Sequence, residues 1–287
     1  MRRSLAILLL ALLPPSTASG TLVVIVPSAD GLIVAADSRT SVFGATCDSQ
    51  YKITELTRPK RTVVAVTGDM AFIKPPNAGV HDVCGYLQSS PRSLDIPAVV
   101  KNYLERKSRD PFKLSLEDLG AECVLAVQRF RESSPLALDP YIGREIFSVV
   151  IASYDWRTRT SIVMNFVVRI DAATHRVEAD KFTRITIPPQ NRRGIWSYGE
   201  TDYLNQNVFA GIGRKYLSGA TLDFILADQP VAKVRLDQAV SAAANVMEAA
   251  SQTTQIVPSP SGIGGPIDIV LLGRTRQPRQ IQWKNNQ

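Results

Sequence analysis

A threonine at position 21, an aspartate at 37 and a lysine at 52 are the residues whose types and spacing could do chemistry together. Thr21 opens the apolar run "TLVVIV", Asp37 closes the run "GLIVAAD", and Lys52 begins "KITEL". A cut after Gly20 gives Thr21 a free α-amine. That amine has a reference pKa of about 7.7–8.0, so near neutral pH it can take the threonine's own hydroxyl proton, directly or through water. A buried lysine cation nearby lowers both the hydroxyl and the amine pKa, and an aspartate beside the lysine keeps it charged and aimed. Such a set hydrolyses amides without histidine or metal. It still needs an oxyanion donor. "AVTGDMAF" offers one, a strand ending at Thr67-Gly68, where glycine lets a backbone N–H approach a ligand and a helix is expected just after. Asp69 and Thr40 are the weaker candidates for a substrate pocket; Asp69 there would favour basic side chains, and its commoner role would be to cap the expected helix.

Composition narrows the alternatives. The chain has 287 residues, 45% hydrophobic and 21% charged, which is ordinary globular composition. Its formal charge of +7 is spread along the chain without interleaved aromatics, so a solvated basic surface is expected rather than a nucleic-acid partner. The two histidines, His81 and His175, make no metal motif and leave little room for a serine–histidine–aspartate triad. No metal and no cofactor is expected. Three cysteines are too few for a disulfide scaffold, and Cys84 with Cys123, both in helical stretches, is the favoured pair.

The residues before Thr21 read as a secretory leader: Arg2-Arg3, an apolar run over residues 5–13, then "STASG". The run is too short to span a bilayer, and no later segment approaches the roughly 18 apolar residues of a membrane helix. The expectation is an exported protein, periplasmic or extracellular, with residues 1–20 removed and no membrane anchor left. Residues 21–273 then form one domain, and residues 274–287 a polar, mobile tail.

The elements that must position the three residues follow from pattern. "TLVVIV" and "GLIVAA" form a hairpin about "PSADG", and further strands are expected at "YKITEL" and "RTVVAVTG". Residues 69–132 read as mostly helical, interrupted by Pro75-Pro76 and Pro97. Their clearest part is "SLEDLGAECVLAVQRFRE", with Ser115 and Asp118 as a capping box. Three strands follow at "EIFSVVIASYD", "TSIVMNFVVRI" and "RVEADKFTRITI", then a long surface loop over residues 187–206. A short helix near Gly211, a longer one in "RLDQAVSAAANVMEAASQ" and a last strand, "PIDIVLLG", complete the order. Two packed sheets flanked by helices, an α+β sandwich of αββα layers, would cover every apolar face.

"GTLVVIVPSADGLIVAADSRT" resembles the start of proteasome β-subunits, where a glycine–threonine junction is cut and a similar "GLIVAADSR" string follows. "SQYKITEL" looks like the segment bearing that family's catalytic lysine, "AVTGDMAF" like its oxyanion turn, and "GGPIDIVLL" like its C-terminal strand. The resemblance implies an N-terminal-nucleophile hydrolase of threonine type with an αββα fold. It makes Thr21 nucleophile and base, Lys52 and Asp37 its tuning residues, and the amide of Gly68 or Thr67 the oxyanion donor. There are departures. Lys52 lies one residue nearer Asp37 than usual. The family's Gly-Ser-Gly, whose serine supports the amine, reads "AGIGRKY" with Ile212, and its Asp-x-x-Ser-Gly-Gly reads "PSPSGIGG", leaving Ser259 or Ser261 as replacements.

The expected activity is hydrolysis of a peptide or other amide through an acyl-enzyme on Thr21. An amidase of small acyl amides and a catalytically idle domain that binds or assembles are the rivals. A homo-oligomer is compatible with each.

Overall fold

The computed structural model describes residues 21–42, 45–48, 52–69, 71–73, 82–107, 110–258, 262–275 and 277–281. The chain opens with β1 (Leu22–Ser28) and β2 (Gly31–Asp37), a hairpin turning at Ala29-Asp30. Short β3 (Thr40–Val42) and β4 (Ala45–Cys47) pair with each other, and β5 (Ile53–Glu55) pairs with β6 (Thr62–Gly68). Then come β7 (Ala71–Ile73), α1 (Val83–Ser89), β8 (Arg92–Asp95), α2 (Ile96–Lys107) and α3 (Leu116–Ser133). The long strands β9 (Glu145–Asp155), β10 (Thr160–Ile170) and β11 (Val177–Ile187) precede β12 (Trp196–Gly199), α4 (Gly219–Leu226), α5 (Leu236–Thr254), β13 (Ile267–Leu272) and β14 (Arg279–Ile281).

Two five-stranded antiparallel sheets carry the molecule, in the orders β12-β1-β2-β13-β14 and β11-β10-β9-β6-β5. All seven residues of β1 and of β2 are buried, because both faces of that sheet are covered. Alternation sends Val23, Ile25, Leu32 and Val34 inward against Ile53, Val63, Val150 and Val163 of the second sheet. Leu22, Val24, Val26 and Ile33 face the other way, onto Ala243, Val246, Met247 and Ala250 of α5. On the far side, Leu119, Cys123, Val127 and Phe130 of α3 and Val100 and Leu104 of α2 cover Val149, Ile151, Met164 and Phe166. Helix, sheet, sheet, helix: the layers are those of an αββα sandwich, as patterning indicates.

Several local expectations are corrected. The described part of 69–132 is mostly helical, as expected, but it also holds the unforeseen pair β7–β8, strands too short to show a period of two. Among the described residues the element directly after Gly68 is β7, not a helix. Pro97 does not break a helix but sits in the first turn of α2, where its missing N–H costs nothing, and the Asp95 carboxylate accepts the Ala98 amide hydrogen at 3.1 Å. Helix α3 begins with the Ser115 side chain accepting from the Asp118 amide, as expected of its cap. The stretch 187–206 is more than a loop, since β12 lies within it and pairs with β1. In the C-terminal stretch β14 pairs with β13. The disulfide joins Cys47 to Cys84, not Cys84 to Cys123. Cys123 is on the inner face of α3, buried in the core and free, beyond reach of a surface partner.

Candidate active site

The β1–β2 hairpin brings position 21 back to the strand end that carries Asp37. The Asp37 Oδ1 atom accepts the Leu22 amide hydrogen at 2.8 Å, so the residue directly after Thr21 is tied to the carboxylate. Thr21 is 2% exposed, Asp37 1% and Lys52 1%. All three polar groups are thus held within the apolar frame built by the hairpin.

Lys52 stands one residue before β5, on the second sheet, and reaches to the end of β2 on the first. Its Nζ donates to Asp37 Oδ2 at 3.1 Å and to the backbone carbonyl of Arg39. The Gly264 amide, 3.5 Å from the same Oδ2, closes the site from the segment that leads into β13. Arg39 donates to both Asp48 carboxylate oxygens from Nε and Nη2, at 2.7 and 2.9 Å, which fixes the turn after β2. Burial raises the Asp37 carboxyl above its ordinary value, against the pull of the Lys52 ammonium and of the Leu22 amide. Burial likewise lowers Lys52, against the pull of Asp37. An ion pair this dry is costly to make and more costly to break.

A second carboxylate faces the lysine. Asp268, on β13, accepts the backbone N–H of Lys52, and burial raises its carboxyl to about 6. Its Oδ2 is buried without a hydrogen-bond partner among the described residues. Sequence reasoning passed over it, although an acid inside the apolar run "PIDIVLL" is itself a signal, since charges seldom enter such strands unpaired.

Thr67 and Gly68 end β6 beside Thr21. Gly68 has φ +85°, and a Cβ there would stand 2.6 Å from the Ile146 carbonyl oxygen, so only glycine fits. The Asp69 amide takes the ladder bond to Ile146 at 2.9 Å, and alternation therefore turns the Gly68 N–H away from β9. A cavity of about 140 Å³ joins Thr21, Thr67 and Gly68 to Glu145, Ser148 and Glu200. The rest of its wall is Ile146 and Phe147 of β9 and Gly199 of β12. Gly199 pairs with Leu22 and lies so close that a Cβ would come within 1.8 Å of the Thr21 carbonyl oxygen, and the Glu200 amide donates to that oxygen at 3.4 Å.

The structure therefore puts Thr21, Thr67 and Gly68 in one cavity, with the Asp37–Lys52 pair behind it, joined to the residue after Thr21 by the Leu22 amide. Asp69 and Thr40 are not among the cavity residues: the Asp69 carboxylate accepts the Tyr141 hydroxyl, and Thr40 lies in β3 opposite Cys47. Ile212 is 48% exposed in a short 3-10 turn, and the chain that meets Thr21 is Gly199-Glu200 instead. Ser259, Ser261 and the leader lie outside the described residues. Among the described residues no group of three His, Cys, Asp or Glu side chains could hold a metal ion.

No protein-family model matches this chain, and no curated protein matches it. Among solved structures it is similar to Anbu (ancestral beta-subunit) from Yersinia bercovieri, with 14% identity, TM-score 0.45, and coverage of 92% of this chain and 88% of that one. It is also similar to an Anbu (Gly-1) mutant from Hyphomicrobium sp. strain MC1, with 13% identity, TM-score 0.45, and coverage of 93% and 89%. The assignment to the proteasome β-subunits read from "GLIVAADSR" is corrected by these findings: no family model supports it, and these two solved structures bear another name at very low identity.

Proposed function

We propose that the protein is an exported hydrolase that cleaves amide bonds through an acyl-enzyme on Thr21, matured by removal of residues 1–20. The observation that carries this reading is the buried Asp37–Lys52 pair at the strand end where Thr21 lines a cavity with Thr67 and Gly68. A dry ion pair is an expensive feature for a scaffold with no use for it.

The steps are those of catalysis by an N-terminal amine. The α-amine of Thr21 takes the Oγ1 proton, and Oγ1 attacks the carbonyl carbon of the substrate amide. The Gly68 N–H, turned away from β9, donates to the oxyanion; such a donor is worth about 10²–10³ in rate. The ammonium returns its proton to the leaving nitrogen, the C–N bond breaks, and an ester remains on Thr21. Water then gives a proton to the amine and attacks the ester, releasing the acid and restoring the hydroxyl. Lys52 supplies the positive charge that favours a deprotonated amine and hydroxyl. Asp37 holds the lysine through one oxygen and the backbone of the nucleophile's neighbour through the other.

The export step rests on the leader "RRSLAILLLALLPPSTASG" alone. The size of the cavity favours small acyl amides over long peptides, since about 140 Å³ is below the usual 300–1,000 Å³ of a ligand pocket. A chain beginning at Thr21, assayed against fluorogenic acyl amides and short peptide amides, tests the reading. Turnover that Thr21→Ala abolishes supports it; turnover indifferent to that change, or none with either substrate class, would sink it.

A further inference from the structure

At the other end of β1 from Thr21 lies a larger cavity, about 530 Å³, between α4 and α5. The segment that forms it is tied to the β1–β2 turn by the Ala29 amide, which donates to the Val234 carbonyl at 2.9 Å. Seven residues of strand separate the two cavities, about 23 Å at ~3.3 Å per residue.

Its wall contains Arg193, which is 9% exposed. The guanidinium lies over the Phe224 ring at 4.6 Å. It donates to Gln229 Oε1 at 3.1 Å and to the Asp223 carbonyl at 2.7 Å, both uncharged acceptors. Its Nε is buried with no partner, and no carboxylate among the described residues forms an ion pair with it. The Asp223 carboxylate acts on it only at longer range, and a nearly buried cation without an ion-pair contact is rare, because the lost hydration is not fully returned. Burial also pushes its pKa below the usual arginine value. The other charges on the wall are Arg235, already paired with Asp237 at 2.8 Å, and the exposed Asp223 carboxylate. With Arg235 and Asp237 paired, one positive and one negative group are left, a balance that offers nothing extra to a polyanion. It suits one carboxylate on the arginine fork and one ammonium on Asp223.

We propose that this groove binds a free amino acid as its zwitterion, with the carboxylate on Arg193, the ammonium toward Asp223 and the side chain along Phe224. The site is separate from the Thr21 cavity and does not depend on the activity assigned there.

Calorimetric titration of the whole chain with three probes decides the matter. L-leucine is expected to saturate with a Kd on the order of 1 mM. N-acetyl-L-leucine, lacking the ammonium, should bind several-fold more weakly, and L-leucinamide, lacking the carboxylate, at least tenfold more weakly. Arg193→Lys should weaken leucine binding about tenfold by losing the fork. Ala220→Trp, which fills the exposed groove without touching the buried arginine, should abolish it and keeps the test open if the Arg193 variant is unstable. Leucinamide binding as well as leucine, leucine binding unchanged in Ala220→Trp, or no saturable leucine binding would overturn the proposal.

Discussion

The Asp37 carboxylate accepts the Leu22 amide hydrogen at 2.8 Å, and that bond makes the position of Thr21 depend on an ion pair. The same carboxylate holds Lys52 at 3.1 Å through its other oxygen. The Thr21 backbone, the acid and the cation are one mechanical unit. Lys52→Met alone strands a buried carboxylate and should cost about 3–5 kcal/mol in urea unfolding. Lys52→Met together with Asp37→Asn should cost less than the two single changes added, because neither leaves a charge unpaired. Strict additivity would mean the pair is not coupled.

Glycine is required where β12 and β6 crowd Thr21. Gly199 has φ +82°, and a Cβ would stand 1.8 Å from the Thr21 carbonyl oxygen; Gly68 has φ +85°, with 2.6 Å to that of Ile146. Gly199→Ala and Gly68→Ala should each cost more than about 2 kcal/mol and remove any activity. Gly219, with nothing within 4 Å of its would-be Cβ, is the control. Gly219→Ala should be neutral or stabilising by about 0.4–1 kcal/mol. Equal losses at all three positions would refute this account of the crowding.

Asp268 gives the site a pH signature. Its folded carboxyl is raised from 3.8 to about 6, so the folded state binds its proton more tightly than the unfolded chain. Stability from this group is therefore complete below about pH 4 and falls as pH rises through 6. Asp268→Asn keeps an acceptor for the Lys52 amide and removes the charge. It should be more stable than wild type at pH 7.5, by about 1 kcal/mol after allowance for partial exposure, and equal to it near pH 4. Thermal melts at the two pH values check this; a gain of the same size at both would assign the effect to packing.

The near half of the site was legible in the sequence and the far half was not, for a physical reason. The β1–β2 hairpin is local, its β-branched runs are continuous, and a tight turn fixes which residues share an end, so Thr21 and Asp37 could be placed together. Lys52 follows because the run that becomes β5 starts directly after it. Gly199 and Glu200 were hidden, since β12 is four residues long, lies among prolines and polar residues, and exists only through its pairing with β1. Ile212 looked like the supporting position by its flanking glycines, yet nothing local reveals which glycine faces a strand far away in sequence. The layer arrangement was legible because every long strand carries an apolar period or run. The β7–β8 pair was not, for want of length.

The disulfide makes a further prediction. The bond between Cys47 and Cys84 closes a separation of 37 residues, which by loop entropy is worth about 3–4 kcal/mol. Cys47→Ala should lose roughly that much. In the native protein no thiol should react with a maleimide, because Cys123 is buried and its thiol is pushed up to about 12. In denaturant a single thiol should appear. Two or more reactive thiols in the native state would contradict the pairing.

The central claim is that Thr21 becomes a nucleophile when it becomes the first residue. The most direct measurement is intact mass and peptide mapping of a chain made to begin at Thr21, after treatment with an acylating β-lactone. A single adduct on Thr21 is expected, absent from Thr21→Ala and from a chain that keeps Gly20. No adduct, an adduct on another residue, or equal labelling with Gly20 retained would contradict it.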